Sequence, residues 1–294
     1  MSLYKNYCLP YNIKEALEAL TNATGPTRII AGGTDLLLDL KQGRHPPVHT
    51  LVDVTQIHEL SVMEIREGRI FIGASVPLNR IVSNDLVRTH LAALVEACGL
   101  IGGPQVRNTA TLGGNVAHAL PAADGTIAML ALGADAEIAS MDGNRLVALE
   151  DLFLGPGKSA LDPKKDLLVG FFMPLQFAGQ SSAFKRVMRP QGVALPILNM
   201  AAWLERQDGI IRKIRLSLGP AGPTPFRARK TESVLMGKEV NDTSISAAQQ
   251  VLLDEAKFRT SPARATADYR KKLAIILLED VLKAVWKRAD RIKS

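Results

Sequence analysis

Along the first 54 residues, the spacing of apolar residues alternates between that of a helix and that of a strand. Asn12 and Glu15 precede a short apolar stripe, a pattern typical of a capping box that opens an amphipathic helix. The apolar run 28–31 predicts a buried strand, 36–41 predicts a helix, and 50–54 predicts a second strand. Residues 1–54 are therefore predicted to form a small βαβ unit with a parallel strand pair.

Strand-like runs dominate the middle of the chain. Residues 69–74 predict a strand, and 86–98, with apolar residues at helical spacing, predict a helix. Further strands, separated by Gly or Asp turns, are predicted at 127–132, 137–140, 145–149 and 166–173. We therefore expect this part of the chain to be mainly β.

The pattern relaxes at residues 174–182, a Gly-, Ser- and Gln-containing link that we interpret as a domain boundary. Beyond it, long strands are predicted at 183–188, 197–205 and 210–218. The last helix, about 265–289, keeps its apolar residues on one side, as a helix docked on a sheet should. The length of 294 residues also fits roughly two domains.

Composition narrows the class of protein. Hydrophobic residues make up 47% of the chain, which is enough for a large core. No apolar run approaches the ~18 residues of a membrane helix, and the N-terminus carries no run of signal-peptide length. We therefore expect a soluble, cytoplasmic protein without a membrane span.

Cysteine and histidine usage argues against a metal site in this chain. Cys8 and Cys98 are the only cysteines and lie far apart, which excludes a disulfide framework and a CxxC pair. An iron–sulfur cluster normally takes four thiolates, so this chain cannot supply one alone. The five histidines form no HxxxH or HExxH pattern.

The net charge of +7 is unevenly distributed. Residues 183–294 carry +11 and residues 1–182 carry −4. A basic C-terminal part suits nucleic acid, a nucleotide phosphate or an acidic partner, although a solvated basic face is the more common interpretation. Only 5% of the residues are aromatic, so few rings interleave these charges and we expect no nucleic-acid binding.

Two glycine-rich stretches carry the candidate chemistry. Residues 109–124 include Gly113 and Gly114 with small polar neighbours, and residues 29–36 join a strand-like run to a helix-like one through a second Gly-Gly pair. Backbone without Cβ atoms can lie against a phosphate or a flat ring, and N–H groups at the start of a helix bind anions. The repeated pattern predicts nucleotide binding. Neither stretch is GxGxxG or GxxxxGK[ST], so Rossmann and P-loop folds are not favoured.

Each candidate residue also has a simpler interpretation. Asp35 suits the first turn of a helix, and Asp124 suits a turn. Lys185 in an apolar strand suits a solvated face, and His118 suits a polar residue with ordinary partners. No Ser/His/Asp or Cys/His arrangement is present that would predict a nucleophile.

The two stretches together resemble a known pair of motifs. Ala31-Gly-Gly-Thr-Asp-Leu36 and Thr111-Leu-Gly-Gly-Asn115 are similar to the FAD-binding signature of the molybdenum hydroxylase flavoprotein subunits, a family that includes the xanthine dehydrogenase FAD subunit and the carbon monoxide dehydrogenase medium subunit. Further similar positions, spread over essentially the whole chain, are 103–108, 121–124, 155–157, 183–185, 223–228 and 269–270.

The resemblance implies an α+β fold in two parts. Residues 1–176 would form an FAD-binding region of the vanillyl-alcohol-oxidase (PCMH) type, with subdomains of about 1–54 and 55–176. Residues 177–294 would form the C-terminal domain of the carbon monoxide dehydrogenase flavoprotein, an antiparallel sheet with helices. This division agrees with the link at 174–182.

The resemblance also implies an FAD site without catalytic side chains. The FAD pyrophosphate would be wrapped by one run of residues, namely Ile29, Ile30, Ala31, Gly32, Gly33, Thr34, Asp35 and Leu36. Thr111, Gly114 and Asn115 would complete that cradle. Around the flavin, Ile101 would pack, Asp124 would make a polar contact, Leu168 would flank and Lys185 would lie by the isoalloxazine.

The implied function is electron transfer within a heterotrimeric molybdenum hydroxylase. FAD would be bound non-covalently, a molybdopterin-binding large subunit would oxidise the substrate, and a [2Fe–2S] small subunit would pass electrons to FAD and on to NAD or another acceptor. A heterohexamer is expected. Thr34-Asp35, where carbon monoxide enzymes tend to have His-Ser, favours a xanthine dehydrogenase-like complex. The alternative is a self-sufficient flavin oxidoreductase of the same superfamily.

Overall fold

The computed structural model describes residues 3–189, 195–262 and 264–291. Within these ranges the helices α1 to α11 are, in chain order, Ile13–Thr21, Leu36–Lys41, Leu78–Ser83, Asp85–His90, Ala92–Leu100, Pro104–Arg107, Leu112–Ala117, Asp124–Leu132, Arg229–Leu235, Asp242–Glu255 and Ala267–Arg291. The strands β1 to β14 are Tyr4–Cys8, Thr27–Ile30, Val48–Asp53, Met63–Arg66, Arg69–Gly73, Asp135–Ser140, Gly143–Ala148, Phe153–Gly155, Lys158–Ser159, Leu167–Pro174, Gln180–Met188, Pro196–Gln207, Ile210–Gly219 and Phe226–Arg227. The predicted α+β class is confirmed.

A small parallel sheet opens the fold, in the strand order β1-β3-β2. β2 and β3 run parallel with α2 between them, so the predicted βαβ unit is confirmed. The predicted cap is also present, because the Asn12 side chain accepts a hydrogen bond from the Glu15 backbone N–H at 2.9 Å. β1 was not predicted, since four of its five residues are exposed and give no apolar signal.

A five-stranded antiparallel sheet follows, in the order β4-β5-β10-β6-β7. Successive residues of a strand point to opposite faces, and β5 shows this alternation. Phe71 packs with α1 in one apolar cluster, whereas Ile70 and Ile72 pack with α5 and α8 in another. The sheet is therefore buried on both faces, between the parallel unit and a layer of helices.

The helical layer corrects three sequence predictions. The predicted strand at 127–132 is wrong, because these residues belong to helix α8, all of which is buried. A helix that is apolar all round lacks the 3.6-residue pattern that would distinguish it from a buried strand. The predicted helix at 86–98 is two helices, broken at Leu91 (φ −126°, ψ 51°). The middle of the chain is consequently not mainly β, since α3 to α8 all lie there.

The C-terminal part is a four-stranded antiparallel sheet, β11-β12-β13-β14, with helices against it. The three long strands and the last helix confirm the predicted elements there. On β12, Met200 and Ala202 pack in the apolar cluster that contains α11, whereas Ala201 and Trp203 pack with α5 and α8. One apolar core thus passes continuously from the helical layer of residues 1–176 into the C-terminal sheet.

Candidate functional site

The first glycine loop connects β2 to α2. Ile29 and Ile30 end the strand and pack in different apolar clusters, and residues 31–35 lead into the partly buried Leu36. Gly33 has a φ of +65°, which favours glycine. A Cβ on Gly32 would lie 2.0 Å from the carbonyl oxygen of Thr109, so this contact requires glycine.

The second glycine loop leads into α7. Thr111 caps the helix, with its hydroxyl accepting a hydrogen bond from Gly114 N–H at 3.1 Å. Gly113 is buried and donates to the Ala74 carbonyl at 2.9 Å, which fixes the loop beside the end of β5. Gly114 is exposed, and among the described residues a Cβ there would meet only the Thr111 hydroxyl, at 3.2 Å. The missing Cβ of Gly114 therefore leaves space at the surface of the loop.

Contacts between the two loops bring them together in one place. Gly32 touches the backbone of Thr109, and His118, just after α7, lies 3.3 Å from an Asp35 oxygen. The contact with Asp35 raises the pKa of His118 although burial opposes the rise, and the same contact lowers the pKa of Asp35. His118 thus has the ordinary polar partner that the simpler interpretation expects, and Asp35 joins the two loops.

Small polar groups line the junction. Asn115 is committed to α8, because its Oδ1 accepts hydrogen bonds from Thr126 N–H at 3.1 Å and from the Thr126 hydroxyl at 3.4 Å. Thr34 is partly exposed, and its hydroxyl has no hydrogen-bond partner in the described ranges. The space beside Gly114, the free hydroxyl of Thr34, and the N–H groups of Gly33 and Thr34, which have no acceptor among the described residues, fit a diphosphate, since it needs donors and no Cβ in the way. The residues present therefore fit the FAD that the resemblance implies.

Asp124 opens α8 and is buried, with 4% exposure. Its carboxylate accepts hydrogen bonds from Arg186 Nη1 at 2.5 Å and Asn199 Nδ2 at 2.6 Å. Arg186 and Asn199 are register partners on β11 and β12, so both reach it from the C-terminal sheet. Burial raises the pKa of Asp124, and these two partners oppose the rise. Both carboxylate oxygens have protein partners, and the implied contact with FAD stays a prediction.

The residues expected beside the flavin ring lie at the edge of the core. Ile101 packs partly buried against the apolar cluster of α5 and α8, to which the buried Leu168 on β10 also belongs. Arg186 Nη2 donates to the Leu100 carbonyl at 2.5 Å, and Arg107 Nη1 donates to the Ile101 carbonyl at 3.2 Å. Two arginines therefore fix the backbone on either side of Ile101.

Lys185 lies on β11 between Phe184 and Arg186 but on the other face of the sheet. Phe184 packs with α5 and α8, and Arg186 reaches Asp124, whereas Ala183 packs with α11. Because successive residues of a strand face opposite sides, Lys185 shares the face of Ala183 and not that of Phe184 and Arg186. It is half-buried there. The contact of Lys185 with the isoalloxazine stays a prediction.

Sequence reasoning missed the roles of Arg186 and Arg107. The one available signal for Arg186 was its charge in a largely apolar run, 183–188, which also contains Lys185. Arg107 lies in a segment noted only for its resemblance to the family. Their partners are backbone carbonyls and a carboxylate distant in sequence, and no local pattern encodes those.

Among the residues the structure describes, no group of three or more His, Cys, Asp or Glu side chains is placed to hold a metal ion. No helix in the described ranges is long and apolar enough to cross a bilayer. Cys8 and Cys98 are both free thiols.

Two family models match the chain. The FAD-binding domain in molybdopterin dehydrogenase matches residues 3–176, and the C-terminal domain of the carbon monoxide dehydrogenase flavoprotein matches residues 182–285. The first of these models spans both glycine loops and the helical layer. The second spans the C-terminal sheet and most of α11.

Similar proteins cover nearly the whole chain. A xanthine dehydrogenase FAD-binding subunit of Escherichia coli O157:H7 is 31% identical over 87% of each chain. The carbon monoxide dehydrogenase medium chain of Hydrogenophaga pseudoflava is 29% identical over 96% of this chain and 97% of its own. A solved structure of carbon monoxide dehydrogenase from the same organism, lacking the Mo-pyranopterin moiety of the molybdenum cofactor, superposes with a TM-score of 0.92 at 28% identity, over 97% of this chain and 98% of that chain.

Proposed function

Because the chain belongs to the family of FAD-binding subunits of molybdopterin dehydrogenases, we propose that it transfers electrons from an iron–sulfur subunit to an acceptor. It is an FAD-binding medium subunit of the molybdenum hydroxylase type, and hence part of an oxidoreductase. In the proposed complex a molybdopterin-binding large subunit oxidises the substrate, and a [2Fe–2S] small subunit delivers the electrons. NAD or another acceptor receives them, and two such heterotrimers form a heterohexamer.

The observation that carries this proposal is the junction of the two glycine loops. Gly32 lies against the Thr109 backbone, Gly114 leaves space for lack of a Cβ, and Thr34 leaves a hydroxyl and an N–H without a partner among the described residues. We propose that residues 29–36 with Thr111, Gly114 and Asn115 hold the FAD diphosphate there. Ile101 and Leu168 then offer apolar contact to the flavin ring, and Asp124 and Lys185 polar contact.

In the proposed reaction this chain binds FAD, orients it and shields its flavin ring from water. FAD, when bound, can take up electrons one at a time and release them in pairs. Backbone N–H groups of the first loop, such as those of Gly33 and Thr34, hold its diphosphate, and the apolar pair Ile101 and Leu168 keeps water from the ring. Since no proton has to be moved on the organic substrate, no side chain of this chain is assigned an acid or base role.

The domain division is part of the same proposal. We propose that residues 1–176 form the FAD-binding region and 177–294 the C-terminal domain. The family models support this with matches to 3–176 and 182–285. The link between the parts is short, and the apolar core continues across it.

Purification and reconstitution test the proposal directly. The full chain, incubated with FAD and desalted, is expected to carry about one flavin per chain and to show flavin absorbance. A colourless chain that binds no FAD by fluorescence titration would contradict the proposed function.

The alternative, a self-sufficient flavin oxidoreductase, predicts a different result with the same preparation. Substrates of molybdenum hydroxylases would bleach the flavin of the isolated chain if it acted alone. Under our proposal, bleaching occurs only after the molybdopterin and iron–sulfur subunits are added. Thr34-Asp35 favours a xanthine-type or other N-heterocyclic substrate for that experiment. NAD, oxygen and a quinone are then compared as acceptors.

A further inference from the structure

His118 occupies a central position at the junction of the two glycine loops. It directly follows α7, one turn after Gly114, and its ring lies between a carboxylate of the first loop and one of the helix α2 that follows it. Nδ1 is 3.3 Å from Asp35 Oδ2, and Nε2 is 3.8 Å from Asp39 Oδ2. One ring therefore links the second glycine loop to Asp35 in the first loop and to Asp39 in α2.

This arrangement determines the charge of the ring. A neutral imidazole has one N–H donor and one nitrogen with a lone pair, and that lone pair would face a carboxylate oxygen here. Only the doubly protonated ring presents a donor to both carboxylates. Asp35 and Asp39 both raise the pKa of His118, and partial burial opposes them. Both carboxylates thus favour the imidazolium over the neutral ring.

The other charges around His118 do not replace it. Asp39 is buried and accepts a hydrogen bond from Arg44 Nη1 at 3.0 Å, with His45 Nε2 at 4.0 Å. Asp124, on the helix that packs against α7, is held by Arg186 and Asn199 instead. Asp35 has His118 as its one ion-pair partner among the residues the structure describes. Without the imidazolium, the Asp35 carboxylate would be unneutralised at the loop junction.

We infer that His118 is a positioning residue of the FAD site, whose imidazolium joins the two loops and neutralises Asp35 so that the junction accepts a diphosphate. This rests on the proposed function, because the diphosphate is that of FAD. A free carboxylate in the first loop would repel the two negative charges of a diphosphate. The Asp35 side chain is largely exposed, so the repulsion is close to its value in water and corresponds to about a tenfold change in affinity.

The dependence on pH follows from the sign of the shift. The contact with Asp35 favours the protonated ring, so the neutralising charge is present at low pH and lost as pH rises through the raised pKa of His118. FAD affinity of the full chain should therefore fall as pH increases over the titration range of His118. Flavin fluorescence titrations between pH 6 and 9 measure it.

Three variants distinguish a charge effect from a structural one. His118→Gln removes the charge and should weaken FAD binding about tenfold at pH 6, leaving a flat pH profile. Asp35→Asn keeps the loop backbone of the proposed cradle and removes the carboxylate that needs neutralising, so its FAD affinity should fall less than that of His118→Gln and also show a flat profile. The double variant His118→Gln/Asp35→Asn should recover the affinity that His118→Gln loses. His45→Gln is the matched control, because His45 contacts Asp39 but not the second loop.

Each result decides the matter. Recovery in the double variant, with His45→Gln unchanged, supports the inference. If Asp35→Asn weakens binding as much as His118→Gln, or if the unmodified chain binds FAD with no pH dependence, the inference is overturned while the proposed function stands. If the unmodified chain binds no FAD at any pH, the proposed function itself fails. Thermal unfolding of the FAD-free variants identifies any that do not fold. If the His118→Gln variants do not fold, the pH profile of Asp35→Asn decides whether the inference holds.

Discussion

Gly32 and Gly114 belong to corresponding loops, but their surroundings differ. A methyl group at Gly32 would lie 2.0 Å from the Thr109 carbonyl oxygen, and backbone cannot yield as a side chain can. We expect Gly32→Ala to force the loops apart, to destabilise the protein by roughly 2–3 kcal/mol and to weaken FAD binding. Urea unfolding of the FAD-free chain measures the first effect and fluorescence titration the second.

Gly114→Ala provides the comparison for the same unfolding experiment. Among the described neighbours its methyl would meet only the Thr111 hydroxyl, at 3.2 Å. Alanine has a higher helix propensity than glycine, which offsets this close contact. We therefore expect the free energy of unfolding to change by no more than about 1 kcal/mol, in either direction. Equal destabilisation by Gly32→Ala and Gly114→Ala would mean that the loop contact does not limit the choice of residue at Gly32.

A second prediction at the residue scale concerns the buried ion pair of Asp124 and Arg186. The Arg186 side chain is 5% exposed, and Asp124 is the carboxylate paired with it. Asp124→Asn keeps the shape but removes the counter-charge, so we expect a loss of about 3 kcal/mol in the free energy of unfolding. The comparison is Asp85→Asn, whose side chain is 98% exposed and for which little change is expected. Similar effects of the two variants would show that the Leu100 carbonyl and the Met188 sulfur are enough to stabilise Arg186.

At the scale of elements, the turn before β10 depends on Asp166. One oxygen of this buried carboxylate accepts hydrogen bonds from Arg145 Nη2 and from Asp162 N–H, each at 2.8 Å. Burial alone would raise the pKa of Asp166, but these hydrogen bonds, with the charges of Arg145 and Lys165, outweigh burial and lower it. The turn thus holds the start of the strand that carries Leu168.

The lowered pKa of Asp166 gives a pH-dependent prediction. Its contribution to stability is complete above the unfolded-state pKa of about 4 and is lost as pH falls through the lower folded-state value. We expect Asp166→Asn to cost about 1 kcal/mol at pH 7 and progressively less in more acidic solution. Urea unfolding at several pH values measures this, with the exposed Asp254→Asn as control. A cost that stays constant down to pH 3 would contradict the role of the charge.

Helices and strands with a clear hydrophobic periodicity could be predicted from the sequence, whereas a helix buried on all sides could not. The cap at Asn12 and the stripe of α11 follow from local chemistry, and both are present. α8 is buried throughout, and its uniform apolarity conceals the helical period, so residues 127–132 were predicted as a strand. At the site, the glycine pairs were visible in the sequence. The contact of Gly32 with Thr109 was not, because it depends on tertiary packing.

At the scale of the whole molecule, the apolar core continues across the proposed domain boundary at residue 176. α5 and α8 lie between the five-stranded sheet and the C-terminal sheet, and Phe184, Ala201 and Trp203 complete their apolar cluster. Burial of these side chains is a strong, non-directional force between the two parts. We therefore expect the FAD-binding region and the C-terminal domain to unfold together rather than as independent units.

A polar network ties the last helix into this arrangement. Arg288 on α11 donates to the Ser182 carbonyl at 2.8 Å and pairs with Glu96 on α5, whose other oxygen accepts from Phe184 N–H at 2.8 Å. Three elements from both parts of the chain thus meet at one carboxylate. Glu96→Ala would leave the Phe184 N–H and the Arg288 guanidinium without this partner, in a region that is only partly solvated.

A double-mutant cycle on Glu96 and Arg288 measures how far this network joins the two parts. Because each side chain is about a third exposed and therefore screened, we expect a coupling of about 1 kcal/mol in urea unfolding. Glu279 and Lys283 form the matched control, an exposed pair on the same helix whose coupling should be close to nothing. If Glu96→Ala splits the single transition into two, the network is required for the two parts to unfold together. If the two cycles give equal couplings, apolar packing by α5 and α8 alone joins them.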